Sequence, residues 1–100
     1  MKLIWSEESL LRLIDIEEYI AEDNLKIAEK FIDYLISESE IPINNPMAGR
    51  IIPEISNTHI RELIIRNYRV VYRISGDQIE ILTVFKGHRL LKRSELFPNE

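Results

Sequence analysis

Arginines recur through the C-terminal half of this 100-residue chain at spacings that place them on a rigid surface. Arg69 and Arg73 stand in YRVVYRIS, where basic and apolar residues alternate. Arg50 and Arg61 precede them, and Lys86 and Arg89 follow. A guanidinium is a planar fork that bonds a phosphate or carboxylate through parallel N–H groups. Arg50, Arg61, Arg69, Arg73, Lys86 and Arg89 are therefore the candidate target- or phosphate-binding residues. His88 lies between Gly87 and Arg89. Cationic neighbours favour the neutral imidazole, the form that accepts a proton in general base catalysis. The competing description is a solvated face with cross-strand ion pairs, Arg61 or Arg73 with Glu62 or Glu80.

Other chemistries lack their residues. His59 and His88 are the only histidines, no HxxxH or HxxE spacing joins them, and there is no cysteine. A metal site is not expected. The phosphate loop GxxxxGK[ST], the dinucleotide fingerprint GxGxxG and the nucleophile elbow GxSxG do not occur, so no cofactor is expected.

The elements that must hold the arginines are legible from Ile60 to Arg89. Three strands are predicted, over about Ile60–Ile65, Tyr68–Ile74 and Ile79–Phe85. Arg66-Asn67 and Ser75-Gly76-Asp77 form the turns, with Asn and Gly expected to supply the positive φ of short hairpins. In the middle strand Tyr68, Val70, Tyr72 and Ile74 point one way, and Arg69, Val71 and Arg73 the other. Upstream, Ser6 is a good helix cap ahead of Glu7 and Glu8, and apolar residues at helical spacing predict a helix over Glu7–Ala21. Asp23 or Asn24 starts a second helix carrying Ile27, Ala28, Phe31, Ile32, Leu35 and Ile36, which Pro42 ends. A short linker makes the two an antiparallel hairpin. Lys2–Trp5 is expected as an edge strand, residues 41–50 as a long loop, Ile51–Glu54 as a short strand, and the tail LLKRSELFPNE as a strand extension or short helix. Trp5, Tyr19, Phe31 and Tyr34 are expected in the core. The whole, residues 1–100, reads as one α+β domain with helices on one face of a three- to four-stranded antiparallel sheet and the other face open and charged.

Composition bounds the function. The apolar fraction of 45% suffices for one core. No apolar run reaches the roughly 18 residues of a membrane span, and the N-terminus has no signal-peptide shape. A soluble, cytoplasmic protein with no membrane partner is expected. Net charge is −4, but residues 1–48 carry −7 and residues 49–100 carry +3. That asymmetry suggests different partners for the two halves.

Gly49-Arg50, Pro53-Glu54, Ile60-Arg61-Glu62-Leu63, Tyr68-Arg69-Val70-Val71-Tyr72-Arg73 and Gly87-His88-Arg89, in that order, resemble the RelE/ParE superfamily of bacterial toxins. Trp5 before the first helix and Tyr19-Ile20-Ala21-Glu22-Asp23-Asn24 at the helix junction are similar too. The resemblance implies two antiparallel helices on a curved antiparallel sheet. It also implies a type II toxin–antitoxin system, in which a cognate antitoxin silences a toxin that arrests growth; such systems are known from plasmid stabilization. The strings resemble the ParE-like branch, whose members inhibit DNA gyrase. In the RelE-like alternative, an mRNA interferase acts on the ribosome and its mRNA. His88, Arg89 and Arg61 would then be catalytic, as a metal-independent endoribonuclease needs a proton carrier and cations about the phosphate. The last tyrosine is Tyr72, and no lysine lies between Arg50 and Arg69, which departs from that alternative. An antitoxin segment is expected to be acidic where it crosses the sheet and apolar along the helices.

Overall fold

The computed structural model describes residues 1–87 and 90–97. Nine elements follow one another: β1 (Lys2–Trp5), α1 (Glu7–Ala21), α2 (Leu25–Glu38), α3 (Ile41–Asn44), β2 (Arg50–Ile51), β3 (Ile60–Ile65), β4 (Tyr68–Ser75), β5 (Gln78–Lys86) and α4 (Arg93–Leu96). The five strands form one sheet in the order β1-β5-β4-β3-β2. β1 runs parallel to β5, and all other neighbours are antiparallel. This is the expected α+β class, with the N-terminal strand incorporated as a fifth member of the sheet.

Both long helices start where their caps predict. Ser6 Oγ accepts the Ser9 N–H at 3.1 Å and donates to Leu82 O at 2.9 Å, so one hydroxyl caps α1 and ties it to β5. Asn24 Oδ1 accepts the Ile27 N–H at 3.0 Å to start α2. Free amides in the first turn of each helix are thereby satisfied. The expected long loop contains a turn of helix, α3, with Pro42 in its first turn, where a missing N–H has no consequence.

The β4–β5 register shifts. Val71 faces Thr83 and Tyr72 faces Ile81, which leaves Leu82 as the extra residue of a bulge. Before it, Ile79 and Ile81 pack beneath the helices; after it, Val84 does, with the parity reversed. The first hairpin turn differs from expectation. Arg66, not Asn67, takes the left-handed conformation, at φ +57°, while Gly76 (φ +60°) serves the second turn as expected.

The sheet has a core on each face. Beneath the helices lie Leu13, Ile32, Leu35, Leu63, Ile65, Tyr68, Val70, Tyr72 and Ile81. The opposite face, expected to stand open, buries Ile52, Ile60, Val71, Leu82, Phe85 and Leu91, with Ile55, Leu96 and Phe97 against them. The segment after β2 and the C-terminal tail fold over this face, because Val71, Leu82 and Phe85 offer apolar surface that water would otherwise cover. The expectation of core tyrosines is likewise corrected. Tyr19 is 60% exposed and Tyr34 39%, both lying on flanks of the helical hairpin.

The loop before β2 is held by one phenol. Tyr72 is fully buried; its hydroxyl donates to Pro46 O at 2.6 Å and accepts the Gly49 N–H at 2.9 Å. Tyr72→Phe would leave that buried N–H without a partner, a loss of about 1–2 kcal/mol. Urea unfolding of the variant should show it as a lower midpoint at unchanged slope.

Candidate functional site

The strands distribute the described candidate cations over three places. β3 pairs Arg61 with Tyr72, so Arg61 shares the helix-facing side. There its Nη1 donates to Gly49 O at 2.9 Å and its Nε to Thr58 O at 3.1 Å, fastening the chain on either side of β2.

Arg69, Arg73 and Arg50 belong to the second face. Arg69 is 4% exposed; its Nε meets Glu62 Oε1 at 2.5 Å, and its guanidinium lies 4.9 Å over the Phe85 ring. The Glu62 side chain is fully buried, and Arg50 Nε reaches its other oxygen at 2.6 Å. Glu54 stands 3.7 Å from Arg69 Nη2 and accepts the Leu91 N–H at 3.0 Å. Two arginines and two carboxylates thus join β2, β3, β4, the Pro53–Glu54 turn and the C-terminal tail. Arg73 pairs with Glu80 directly across the ladder, as one of the cross-strand possibilities anticipated, and lies beneath the Phe97 ring at 5.5 Å.

Lys86 stands apart at the end of β5, exposed, with Nζ 5.7 Å from the Tyr19 ring centroid. Arg89 and His88 lie outside the described residues. The expectation of one shared arginine surface is therefore corrected: residue parity and the bulge send these side chains to different faces, and most are bound within the protein.

Two carboxylates to which the pattern of basic residues does not point complete the site: Glu62, with a fully buried side chain, and the more exposed Glu54. A signal existed. Glu62 shares its face of β3 with Ile60 and Ile64, and a carboxylate in an apolar strand needs a cation at hand. Arg66 is expected only as a turn residue.

Burial pushes the Tyr72 phenol up, against the opposing effect of the Gly49 N–H; burial also raises that of Tyr68. Both phenols hold their protons at neutral pH. The Leu91 N–H, with help from Arg69, holds the Glu54 carboxyl below its ordinary value near 4.5. A depressed folded-state pKa adds stability that is complete above the unfolded value and lost as pH falls through the folded one. The chain should therefore lose stability below about pH 4.5, and Glu54→Gln should flatten that loss. Urea midpoints of both forms at neutral and acid pH check this.

Among the described residues no group of His, Asp and Glu side chains could hold a metal ion, and no helix is long and apolar enough to cross a membrane.

Comparison with known proteins agrees with this architecture. One solved chain, titled "Chromosomal ParDE TA system from P. aeruginosa", superposes with a TM-score of 0.70 at 22% identity, covering 88% of this chain and 97% of that one. At that identity the likeness establishes the fold. No curated protein sequence matches. Residues 3–91 match the family described as "ParE toxin of type II toxin-antitoxin system, parDE". With nearly the whole domain inside that match, the chain belongs to the ParE toxin family of type II toxin–antitoxin systems.

Proposed function

We propose that this chain arrests bacterial growth by binding DNA gyrase, and that a cognate antitoxin neutralises it by occupying its surface. The observation that carries the reading is the internal engagement of the arginines. Arg61 holds backbone carbonyls, Arg69 is buried against Glu62, and Arg73 is paired with Glu80. Such side chains build a scaffold for recognition rather than a clamp for a scissile phosphate. The protonated, buried phenols of Tyr68 and Tyr72 support the same reading, since neither is a base at neutral pH. Family membership adds the antitoxin as the expected partner.

The experiment is expression of the chain without its antitoxin. Growth should stop, cells should filament and the DNA-damage response should rise. Purified protein should inhibit gyrase supercoiling in vitro. Arrest with normal supercoiling and codon-phased cuts in translated messages would assign the ribosome and its mRNA as the target instead, with His88, Arg89 and Arg61 as the residues to replace next.

A further inference from the structure

The outer side of α1 carries apolar residues that nothing in the fold covers. The helix turns Ser9, Leu13 and Ile16 inward. Leu10 and Leu11, by contrast, are each 47% exposed, and Ile14 is 51% exposed. Ile14 stands one turn from both leucines, so the three are neighbours on the helix surface.

Carboxylates bracket that patch. Glu7, Leu11, Ile14 and Glu18 recur at the spacing of one helical face, and Glu22 follows at the C-cap. Glu7, Glu18 and Glu22 are exposed and have no cationic partner among the described residues. Arg12 is the one basic side chain of α1, and it is already held by Glu8 at 3.4 Å and Asp15 at 3.1 Å. A helix that only meets water carries polar residues at its outer positions. Here leucine and isoleucine stand at the centre of the outer face, with acid at both ends. The neighbouring helix differs: the exposed charges of α2, Lys26, Glu29, Lys30 and Asp33, are of mixed sign.

We propose that this face of α1 is the surface by which the chain binds gyrase, docked on a basic area of the enzyme beside the DNA it holds. The inference rests on the gyrase reading above and names the contact. Charge selects the occupant. An enzyme that holds duplex DNA meets the phosphates with lysine and arginine, so cations surround its DNA path. An acidic rim complements such a surface, while Leu10, Leu11 and Ile14 supply the dry centre of the interface. A second copy docked on the same face would set carboxylate against carboxylate. The chain's own cations do not offer the matching surface either, since Arg61, Arg69 and Arg73 are engaged internally. An acidic antitoxin segment would meet the same repulsion.

The test titrates the free toxin into purified gyrase by calorimetry at two salt concentrations, with inhibition of supercoiling read in parallel. Glu18→Lys should weaken binding about tenfold and flatten its salt dependence. Leu11→Gln should also weaken it about tenfold, with the salt dependence unchanged. Asp77→Lys alters net charge as much as Glu18→Lys does but lies in the β4–β5 turn, and should bind as the parent does. Urea midpoints of all three should stay with the parent's, because these side chains are exposed. Wild-type binding with both α1 variants undiminished overturns the assignment of this face alone. Failure of the wild-type chain to bind gyrase overturns the gyrase reading together with it. Equal loss in Asp77→Lys would reduce the effect to net charge and overturn the assignment. Loss of antitoxin binding alone, or a toxin dimer that Leu11→Gln dissociates, would give the face to that occupant and overturn the proposal.

Discussion

Replacing Arg69 with methionine should lower the unfolding free energy by about 3–5 kcal/mol, the loss typical of a buried ion pair deprived of one partner. Glu62 makes the effect large. Its side chain has no solvent exposure, and Arg69 Nε is bonded to one of its two oxygens at 2.5 Å. Methionine retains much of the packing against Phe85 but supplies no donor. Arg50 remains on the other oxygen, at 2.6 Å, but its side chain is 57% exposed and does not replace a buried guanidinium. Glu54 loses a cation 3.7 Å away as well. Urea unfolding of Arg69→Met, Glu62→Gln and the double variant closes a thermodynamic cycle, and the double should cost clearly less than the two singles together. The same measurement separates scaffold from site. A target-binding Arg69 with no structural duty would leave the urea midpoint in place and weaken only partner binding.

Gly49→Ala should destabilise the fold by about 2–3 kcal/mol, through overpacking at a backbone crossing. A Cβ at this position would come within 2.7 Å of Glu62 O, 2.7 Å of a Tyr72 ring carbon and 2.8 Å of the Tyr72 hydroxyl. Real Cβ atoms do not approach so closely, and Tyr72 is fully buried between the sheet and the hairpin. The loop would have to lift, which breaks the Tyr72 bonds to Pro46 O and the Gly49 N–H and the Arg61 bond to Gly49 O. Tyr72→Phe should not rescue it, because the Glu62 carbonyl is a backbone atom and stays. Thermal unfolding of the single and double variants reads this directly. If Gly49→Ala matches the parent, the loop is freer than its contacts indicate. The Gly49-Arg50 string is thus explained by close packing at Gly49 and by an ion pair from Arg50 to Glu62.

Features set by neighbours in the chain were legible before the fold was seen. Ser6 and Asn24 cap helices because a side-chain oxygen meets an amide three residues on, whatever surrounds it. The three strands Ile60–Ile65, Tyr68–Ser75 and Gln78–Lys86 follow from alternation and two short turns. Alternation also divided β4 correctly, with Tyr68, Val70 and Tyr72 under the helices and Arg69 and Val71 opposite. The collinear strings pointed to the toxin family that the domain-length match establishes.

The arrangement of charge was not legible, because it depends on segments far apart in the chain. The C-terminal tail must fold back before Leu91 can close the second core and give its N–H to Glu54, 37 residues earlier. Alternation shows that Arg69 and Arg73 share a face; it is silent on whether water or chain covers that face. A single bulge at Leu82 reverses the parity of β5, and no local residue marks it. Tyr19 and Tyr34 carry the apolar bodies expected of core residues, yet the packing of the hairpin on the sheet leaves them outside, under Lys86 and Arg66. Local periodicity determined the strands and helices of this protein. Only tertiary packing decided which cations became scaffold and which remained at the surface, because burying a charge depends on a counter-charge that the fold must bring from elsewhere.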